Sequence, residues 1–109
     1  MPDVSVDIKS NVDLFKRALP EQKARALETI GLTAEGYAKL ACPVDTGRLR
    51  NSISHARDDE AAYIGTNVEY APYVELGTSR MKPHPFLTPA AQDHAEEYRD
   101  IIEAALKGD

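Results

Sequence analysis

The sequence predicts an α+β fold, in which a small and mostly antiparallel sheet packs against a long N-terminal helix and a C-terminal helix. Apolar residues at helical spacing run through residues 20–42 and 89–107, on either side of the chain's centre. Between them, residues 42–89 hold five of the seven prolines and alternate short apolar runs with turn-forming residues. That pattern is typical of short strands and tight turns. At 109 residues we expect a single domain, 1–109, with residues 1–10 as an arm or an edge strand.

Composition limits the classes of function. The single cysteine, Cys42, excludes an internal disulfide, and no apolar run is long enough to cross a bilayer, so we expect a cytosolic protein without a membrane partner. The net charge of −5 and the absence of a basic stripe argue against sequence-specific or general nucleic-acid binding. With no tryptophan and 6% aromatic residues, the core is expected to be thin, aliphatic and partly dependent on neighbouring subunits.

The N-terminal half is predicted to be mainly helical. Val4 to Ile8 alternates apolar and polar residues, which indicates a short strand or a terminal arm. Asn11 is expected to cap a short helix over residues 12–19. Pro20 suits the first turn of a longer helix because its missing amide costs nothing there. Pro43 disfavours helical geometry at Cys42, so the long helix should end there.

Two glycines interrupt the long helical pattern. Gly31 and Gly36 each cost about 1 kcal/mol relative to alanine inside a helix. We expect a kink or break near Gly31, with Thr33 capping the helix that follows. The alternative is close approach of another backbone on the face shared with Ala34 and Ala38.

The centre of the chain is predicted to form turns and a hairpin. Residues 44–47 read as a turn in which Gly47 opens a helical turn through Arg50. Residues 52–57 alternate as a strand, Asp58 and Asp59 form the hairpin turn, and residues 61–66 form the partner strand.

The C-terminal half is predicted to carry two helices and a loop. Pro72 starts a short helical turn that Gly77 closes as a left-handed cap. Residues 78–85 indicate an exposed, extended loop. Thr88 and Pro89 mark the start of an amphipathic helix that runs to about Lys107 and has an acidic outer face.

Enzymatic chemistry has weak support. Cys42, His55 and Asp45 could be imagined as a cysteine hydrolase site, but no activating pattern surrounds the cysteine, so a buried and inert thiol is favoured. His55, His84 and His94 lack the spacing of metal ligands. We expect no catalytic, metal or cofactor site.

Two carboxylates near the tyrosine-rich turn have a structural explanation. Glu69 and Glu75 could be imagined as an acid/base pair, but carboxylates in such a position are more often solvated or paired with a nearby arginine, here Arg48, Arg50 or Arg80. The same region is rich in residue types that are enriched at interface cores. We expect the rings of Tyr70, Tyr73 and Phe86 to lie mainly in the core, and the loop from Thr78 to His84 to make contacts.

Three blocks of sequence resemble one family. Pro43 to Ile53, PVDTGRLRNSI, is similar to the signature of small tailed-phage neck and tail-completion proteins, a family related to the minor tail protein Z of lambda. The resemblance continues through Ile64 to Thr78, IGTNVEYAPYVELGT, and closes with Lys82 to Leu87 and Pro89-Ala90. Leu76 stands where phenylalanine is common in the family, and His84 where glutamine is common.

The resemblance implies a structural virion protein without catalytic activity or a cofactor. It would complete the tail of a long-tailed, siphovirus-like phage or prophage particle and join it to the capsid at the head–tail junction, after assembly in the host cytoplasm. A homo-oligomeric ring, expected to be a hexamer, would contact the head–tail connector, the tail terminator or the tail tube. The alternative within the same class is a tail terminator or a head-closure protein.

A ring requires two different contact patches on each subunit. We expect the loop from Gly77 to Pro85 to supply one patch and an edge of the hairpin over residues 52–66 to supply the other. The acidic helix face, Glu96, Glu97, Asp100 and Glu103, would line a channel through which DNA passes. The residues expected at a subunit or partner interface are Arg48, Arg50, Tyr73, Glu75, Thr78, Ser79, Arg80, Met81, Lys82 and His84.

Overall fold

The computed structural model describes residues 4–6, 12–43 and 47–107. In chain order the elements are β1 (Val4–Val6), α1 (Val12–Arg17), α2 (Pro20–Ala41), α3 (Arg48–Ser52), β2 (Ser54–Arg57), β3 (Ala62–Gly65), α4 (Ala71–Leu76), α5 (Leu87–Gln92) and α6 (Ala95–Leu106). A small antiparallel sheet packs against a long N-terminal helix and C-terminal helices, so the predicted α+β class is confirmed.

The described strands form one sheet in the order β1-β3-β2. Both pairings are antiparallel, with Val4 and His55 on either side of Ile64. The predicted hairpin turn is confirmed: the Asp58 carboxylate accepts hydrogen bonds from the amides of Glu60 at 2.7 Å and Ala61 at 2.8 Å. Strand β2 begins at residue 54 rather than 52, because α3 extends through Ser52. The N-terminal strand is confirmed over Val4–Val6, whereas Ile8 lies outside the described residues.

Helix α2 is the central element of the fold. It begins at Pro20, and the Gln22 side chain accepts a hydrogen bond from the Leu19 amide at 2.9 Å. It ends before Cys42, whose extended backbone (ψ 132°) is the geometry that Pro43 favours. Its inner face packs on α5, α6 and the sheet. The predicted cap at Asn11 and the turn over residues 44–46 lie outside the described residues.

The core is built from small and aliphatic residues with three large rings, Phe15, Phe86 and Tyr98. Phe86 is fully buried, and Tyr98 is 1% exposed and donates a hydrogen bond to the Ala90 carbonyl at 2.5 Å. The remaining core around α2 is supplied mainly by alanine, leucine and isoleucine: Ala26, Leu27, Ile30, Ala34, Ala38, Ile64, Ala90, Ala91 and Ile102.

The predicted break at Gly31 is wrong, because α2 runs without interruption from Pro20 to Ala41. Thr33 does not cap a second helix; its hydroxyl donates to the Thr29 carbonyl one turn back, at 2.8 Å. Gly31 is buried against the ring of His55 on β2, and a Cβ at Gly31 would come within 2.8 Å of His55 Cδ2. The close approach at this glycine is therefore made by a side chain of the sheet rather than by another backbone.

The same substitution at the two helical glycines should change stability in opposite directions. At Gly36 a Cβ meets nothing within 4 Å, so Gly36→Ala should stabilise the fold by up to about 1 kcal/mol through helix propensity. Gly31→Ala gains the same propensity but displaces the His55 ring, and we expect a net loss of about 1 kcal/mol. Urea unfolding of the two variants checks this, and equal shifts for both would contradict it.

His55 joins β2 to α2 through two carboxylates. Its Nδ1 lies 2.7 Å from Glu35 Oε1, and its Nε2 lies 3.1 Å from Glu28 Oε1. The His55 and Glu35 side chains are only 20% and 17% exposed, and Lys39 also pairs with Glu35 at 3.0 Å. The hydrogen bond to Glu35 raises the pKa of His55 above 6.5, although burial lowers it. Burial raises the pKa of Glu35, but His55 and Lys39 together hold it below 4.5.

The pKa shifts of His55 and Glu35 define the pH range in which their contact stabilises the fold. Because the pKa of His55 is raised in the folded state, its contribution to the stability of the fold is fully present below pH 6.5. That contribution is lost as the pH rises through the folded-state pKa. A lowered pKa means that the contribution of Glu35 is present above pH 4.5 and is lost as the pH falls. Both contributions are therefore complete between pH 4.5 and pH 6.5.

Replacing His55 should remove stability in a pH-dependent way. His55→Gln keeps a polar side chain but loses the charge, and we expect a loss of about 1–2 kcal/mol near pH 6. The difference from the wild-type protein should shrink as the pH rises, because wild-type His55 then loses its proton. Urea unfolding at pH 6 and pH 9 measures it, with the exposed His84→Gln as the matched control. A stability difference of equal size at both pH values would contradict ion pairing of protonated His55 with Glu28 and Glu35.

The prediction of one C-terminal helix from Thr88 to Lys107 is also corrected. Helix α5 begins at Leu87, the chain turns at Asp93 and His94, and α6 begins at Ala95. The His94 ring stacks on Tyr37 of α2, with ring centroids 3.5 Å apart and planes 1° apart. This contact between distant residues accompanies the change of direction that brings α6 onto α2.

Candidate interaction surface

Helix α4 and the loop after it form an exposed corner of the fold. Pro72 lies in the first turn of α4, as predicted, and the Gly77 amide closes the helix with a 2.8 Å hydrogen bond to the Tyr73 carbonyl. Gly77 has φ 78° and ψ 176°. The predicted left-handed cap is therefore correct in the sign of φ but not in ψ, because the chain leaves the helix in an extended direction that glycine alone adopts readily.

The loop over residues 78–85 is exposed, as predicted, but it folds back on itself instead of running extended. The Thr78 amide donates to the Met81 carbonyl at 2.9 Å, and the Arg80 amide donates to the Thr78 hydroxyl at 3.1 Å. The His84 amide then donates to the Val74 carbonyl at 2.8 Å, which ties the end of the loop to α4. The loop is therefore held at both ends by backbone hydrogen bonds.

Glu75, on α4, holds the end of this loop in place. Its carboxylate accepts hydrogen bonds from the amides of Phe86, Leu87 and Thr88 at 3.0, 2.9 and 3.1 Å. Burial raises the pKa of the Glu75 carboxyl, but these backbone amides lower it overall. The carboxylate satisfies amides at the start of α5 that have no intrahelical partner. Glu75 therefore joins α4 to α5 and positions the loop between them.

The corner exposes three large apolar side chains. Tyr73, Leu76 and Met81 are 58%, 75% and 39% exposed. Tyr73 and Leu76 lie one helical turn apart, and the Met81 backbone carbonyl lies close to Gly77 at the end of the same helix. Arg80 and Lys82 on the same loop are also exposed. We call Tyr73, Leu76, Arg80, Met81 and Lys82 the α4 surface.

The other expected interface residues lie at different positions. Arg48 pairs with the Glu69 carboxylate at 3.1 Å and lies over the ring of Tyr70, so the predicted Glu69–arginine pairing is confirmed. Both side chains of this pair are exposed, and such pairs contribute little stability. Arg50 lies apart from the α4 surface, beside the outer face of α2. The remaining expected residues, Thr78, Ser79 and His84, are exposed on the loop.

A protein-family model matches residues 7–77 of the chain. The family is HK97-gp10-like, described as "Bacteriophage HK97-gp10, putative tail-component". The chain belongs to the HK97-gp10-like family. No curated protein and no solved structure gives a significant match.

Membership of the HK97-gp10-like family confirms the phage tail-region part of the resemblance seen in the sequence. It indicates a virion-associated, structural protein that associates with other phage structural proteins, and it favours a role without catalysis. The match ends at Gly77, so it includes α2 and α4, whereas the loop, α5 and α6 follow it.

The geometry around Cys42 agrees with a structural protein of this HK97-gp10-like family. Cys42 is 4% exposed, and burial raises the pKa of its thiol although nearby Arg50 lowers it. A nucleophilic cysteine has the opposite properties, an exposed thiol with a lowered pKa. Within the described residues no group of three metal-binding side chains comes together, and no helix there is long and apolar enough to span a bilayer.

The prediction that the Tyr73 ring lies mainly in the core is wrong, because the ring is on the outer side of α4 and Tyr73 is 58% exposed. Two further exposed apolar features were missed in the sequence. Leu76 was assigned no surface role, although its position before Gly77 at a helix end is a weak sign of exposure. Leu32, Gly36 and Leu40 recur every four residues on the outer face of α2, and Leu32 and Leu40 are 59% and 84% exposed. The buried series Ala26, Ile30, Ala34 and Ala38 has the same spacing but is offset by two residues, so it lies on another side of the helix, and that offset is the signal that could have found them.

Proposed function

We propose that this protein completes the tail of a long-tailed phage or prophage particle and joins it to the capsid at the head–tail junction. The observation that carries the proposal is the HK97-gp10-like match over residues 7–77. The finer relation to the lambda minor tail protein Z rests on the three sequence blocks alone, because the family match reaches only a phage tail component. The chain acts as one domain in a ring of identical subunits, with six as the expected number.

The α4 surface supplies one of the two patches that such a ring needs. It combines exposed apolar side chains with the cations Arg80 and Lys82, and its loop is held in one shape by Glu75 and by the hydrogen bond from His84 to Val74. A preformed loop loses little conformational entropy when it binds, which favours association.

The outer edge of β2 supplies the second patch. Within the described sheet β2 pairs only with β3, so the backbone groups on its other side are available to a neighbouring subunit. Ser54, Ala56 and Arg57 along this strand are exposed. Contact between the loop of one subunit and the β2 edge of the next is heterologous, and repeated heterologous contacts close into a ring.

The outer face of α6 lines the channel of this ring in our proposal. Glu96, Glu97, Asp100 and Glu103 are exposed on α6, which packs with its apolar face on α2. A negatively charged wall repels the phosphate backbone, so DNA passes without binding. A ring in which α6 lies on the outside would contradict this part of the proposal.

Electron microscopy of phage lysates tests the function. We expect a strain that lacks this gene to release DNA-filled heads and separate tails, and a complemented strain to release whole particles. Tails of abnormal length would instead identify a tail terminator, and empty heads that have lost their DNA would identify a head-closure protein. Intact infectious particles from the deletion strain would overturn the proposal.

The interface is tested by complementation with variants. Arg80→Glu with Lys82→Glu, or deletion of Ser79 to Lys82, should leave the protein folded but reduce particle joining at least tenfold. Lys16→Glu, an exposed charge reversal on α1, is the control and should complement normally. Normal titres from the loop variants would show that the loop is not part of the interface. The proposed head–tail role would not be affected by that result.

A further inference from the structure

The outer face of α2 carries apolar residues where a solvent-facing helix usually carries charges. Leu32 is 59% exposed and Leu40 is 84% exposed. Gly36 lies one turn from each of them and is also exposed. Gly36 and Leu40 line a shallow groove of about 530 Å³, which we call the α2 groove, and Leu32 lies one turn before Gly36 on the same helix. Its lining residues are Thr33, Gly36, Tyr37, Lys39, Leu40 and Arg50.

The fold of one chain does not account for Gly36. Glycine in the middle of a helix is unfavourable relative to alanine, and a Cβ at Gly36 would meet no atom within 4 Å. Gly31 on the same helix is different, because the His55 ring occupies the space of its missing side chain. An open glycine between two exposed leucines is the arrangement that lets a second helix approach closely.

The arrangement is symmetric about Gly36. Leu32, Gly36 and Leu40 lie at i, i+4 and i+8, so they follow one face of the helix at intervals of about 6 Å. In an antiparallel pair of α2 helices centred on Gly36, Leu32 of each copy faces Leu40 of the other. Each exposed leucine then has an apolar partner, and the two glycines meet at the centre.

Charge along the same face supports the antiparallel direction. Glu28 lies one turn before Leu32, and its side chain is 53% exposed although it contacts His55. Arg50 lies at the other end of the groove, beside Leu40 and close enough to Cys42 to lower the pKa of its thiol. The antiparallel pair places Glu28 of one copy toward Arg50 of the other at both ends. A parallel pair would bring like charges together.

We propose that the α2 groove binds a second copy of this chain, with the two α2 helices antiparallel and Gly36 on the two-fold axis. Such a contact is self-complementary and closes at two copies. The groove includes no residue of α4 or of its loop, so the α4 surface remains free in the dimer. The contact spans only about three helical turns, so we expect it to bury less than the roughly 1,200 Å² of stable interfaces and the dimer to dissociate readily. The inference does not depend on the head–tail role.

Cysteine cross-linking tests the contact and its direction. In a Cys42→Ser background, Gly36→Cys should form a disulfide-linked dimer under mild oxidation, because two copies of residue 36 meet on the axis. A mixture of Leu32→Cys and Leu40→Cys should cross-link between the two variants, whereas Leu32→Cys alone should not. Leu19→Cys, on a residue that is 61% exposed outside the groove, is the control. Cross-linking of position 36 no faster than the control, or efficient self-cross-linking of Leu32→Cys, would overturn the proposal.

Sedimentation equilibrium measures the dimer without a covalent link. We expect the unmodified protein to show a monomer–dimer equilibrium, and Leu40→Glu to weaken it at least tenfold while circular dichroism shows an unchanged fold. Leu76→Glu on the α4 surface should leave the dimer intact, because that surface lies outside the groove. A protein that stays monomeric at millimolar concentration, or one that Leu40→Glu does not affect, would contradict the proposal.

Discussion

Replacing Glu75 with alanine is expected to destabilise the fold by about 3 kcal/mol, because the amides of Phe86, Leu87 and Thr88 lose a charged and partly buried acceptor. The loop should also open, since the carboxylate is the link between α4 and α5. Urea unfolding measures the loss of stability. Trypsin cleavage after the exposed Arg80 measures loop opening, and we expect it to be at least tenfold faster in Glu75→Ala.

Two further variants separate charge from shape at this position. Glu75→Gln keeps one acceptor oxygen but no charge, and we expect a loss of about 1–2 kcal/mol. The lowered pKa of Glu75 means that its contribution is present above pH 4.5 and is lost as the pH falls, so the cost of Glu75→Gln should shrink in acid. Glu69→Ala removes an exposed carboxylate of the same region and should cost less than about 0.5 kcal/mol. Equal effects of Glu75→Ala and Glu69→Ala would show that Glu75 does not anchor the loop.

Replacing Gly77 with alanine is expected to destabilise the fold by about 3–4 kcal/mol or to force the loop into another conformation. The backbone angles, φ 78° and ψ 176°, are unfavourable for any residue with a Cβ. In addition, the new Cβ would lie 2.8 Å from both the nitrogen and Cδ of Pro83 and 2.9 Å from the Met81 carbonyl oxygen. Because two of these are backbone atoms, a side-chain rotation does not relieve the overlap.

Gly47→Ala is the matched control for this variant. Gly47 also has a positive φ, 80°, but the nearest atom to a Cβ there, outside its chain neighbours, is Asn51 Nδ2 at 3.5 Å. Gly47→Ala therefore carries the strain of the dihedral without the overlap, and we expect it to cost about 1–2 kcal/mol. Thermal unfolding of both variants measures the difference. Equal losses of stability in the two variants would mean that the close contact between Gly77 and Pro83 does not add to the cost of Gly77→Ala.

Local chemistry in the sequence was enough to predict most helix and strand boundaries. Pro20 and Pro43 bound α2 because proline suits the first turn of a helix and disfavours helical geometry in the residue before it. Asp58 predicted the hairpin turn because a short carboxylate bonds the amides that follow it. The exposure of the loop over residues 78–85 followed from its prolines and charges. These predictions were correct because each depends on residues that are close together in the chain.

The errors lie where distant residues meet. Gly31 looked like a break because helix propensity is a local quantity, but the cost is offset by burial of the His55 ring from β2. The C-terminal helix looked continuous because its apolar spacing continues through Asp93, but the stacking of His94 on Tyr37 accompanies a turn. Glu75 looked like a surface carboxylate because the amides that it accepts from are eleven to thirteen residues away.

The sequence by itself determined the α+β class, the phage tail-region family and the location of a proline-rich loop suited to contacts. The tertiary structure alone decided which apolar side chains remain exposed, because exposure depends on what the other elements cover. Leu27 and Leu40 both lie on α2, yet Leu27 is fully buried and Leu40 is 84% exposed. Packing of α5, α6 and the sheet on one side of α2 makes that difference, and it leaves the α2 groove and the α4 surface open to partners.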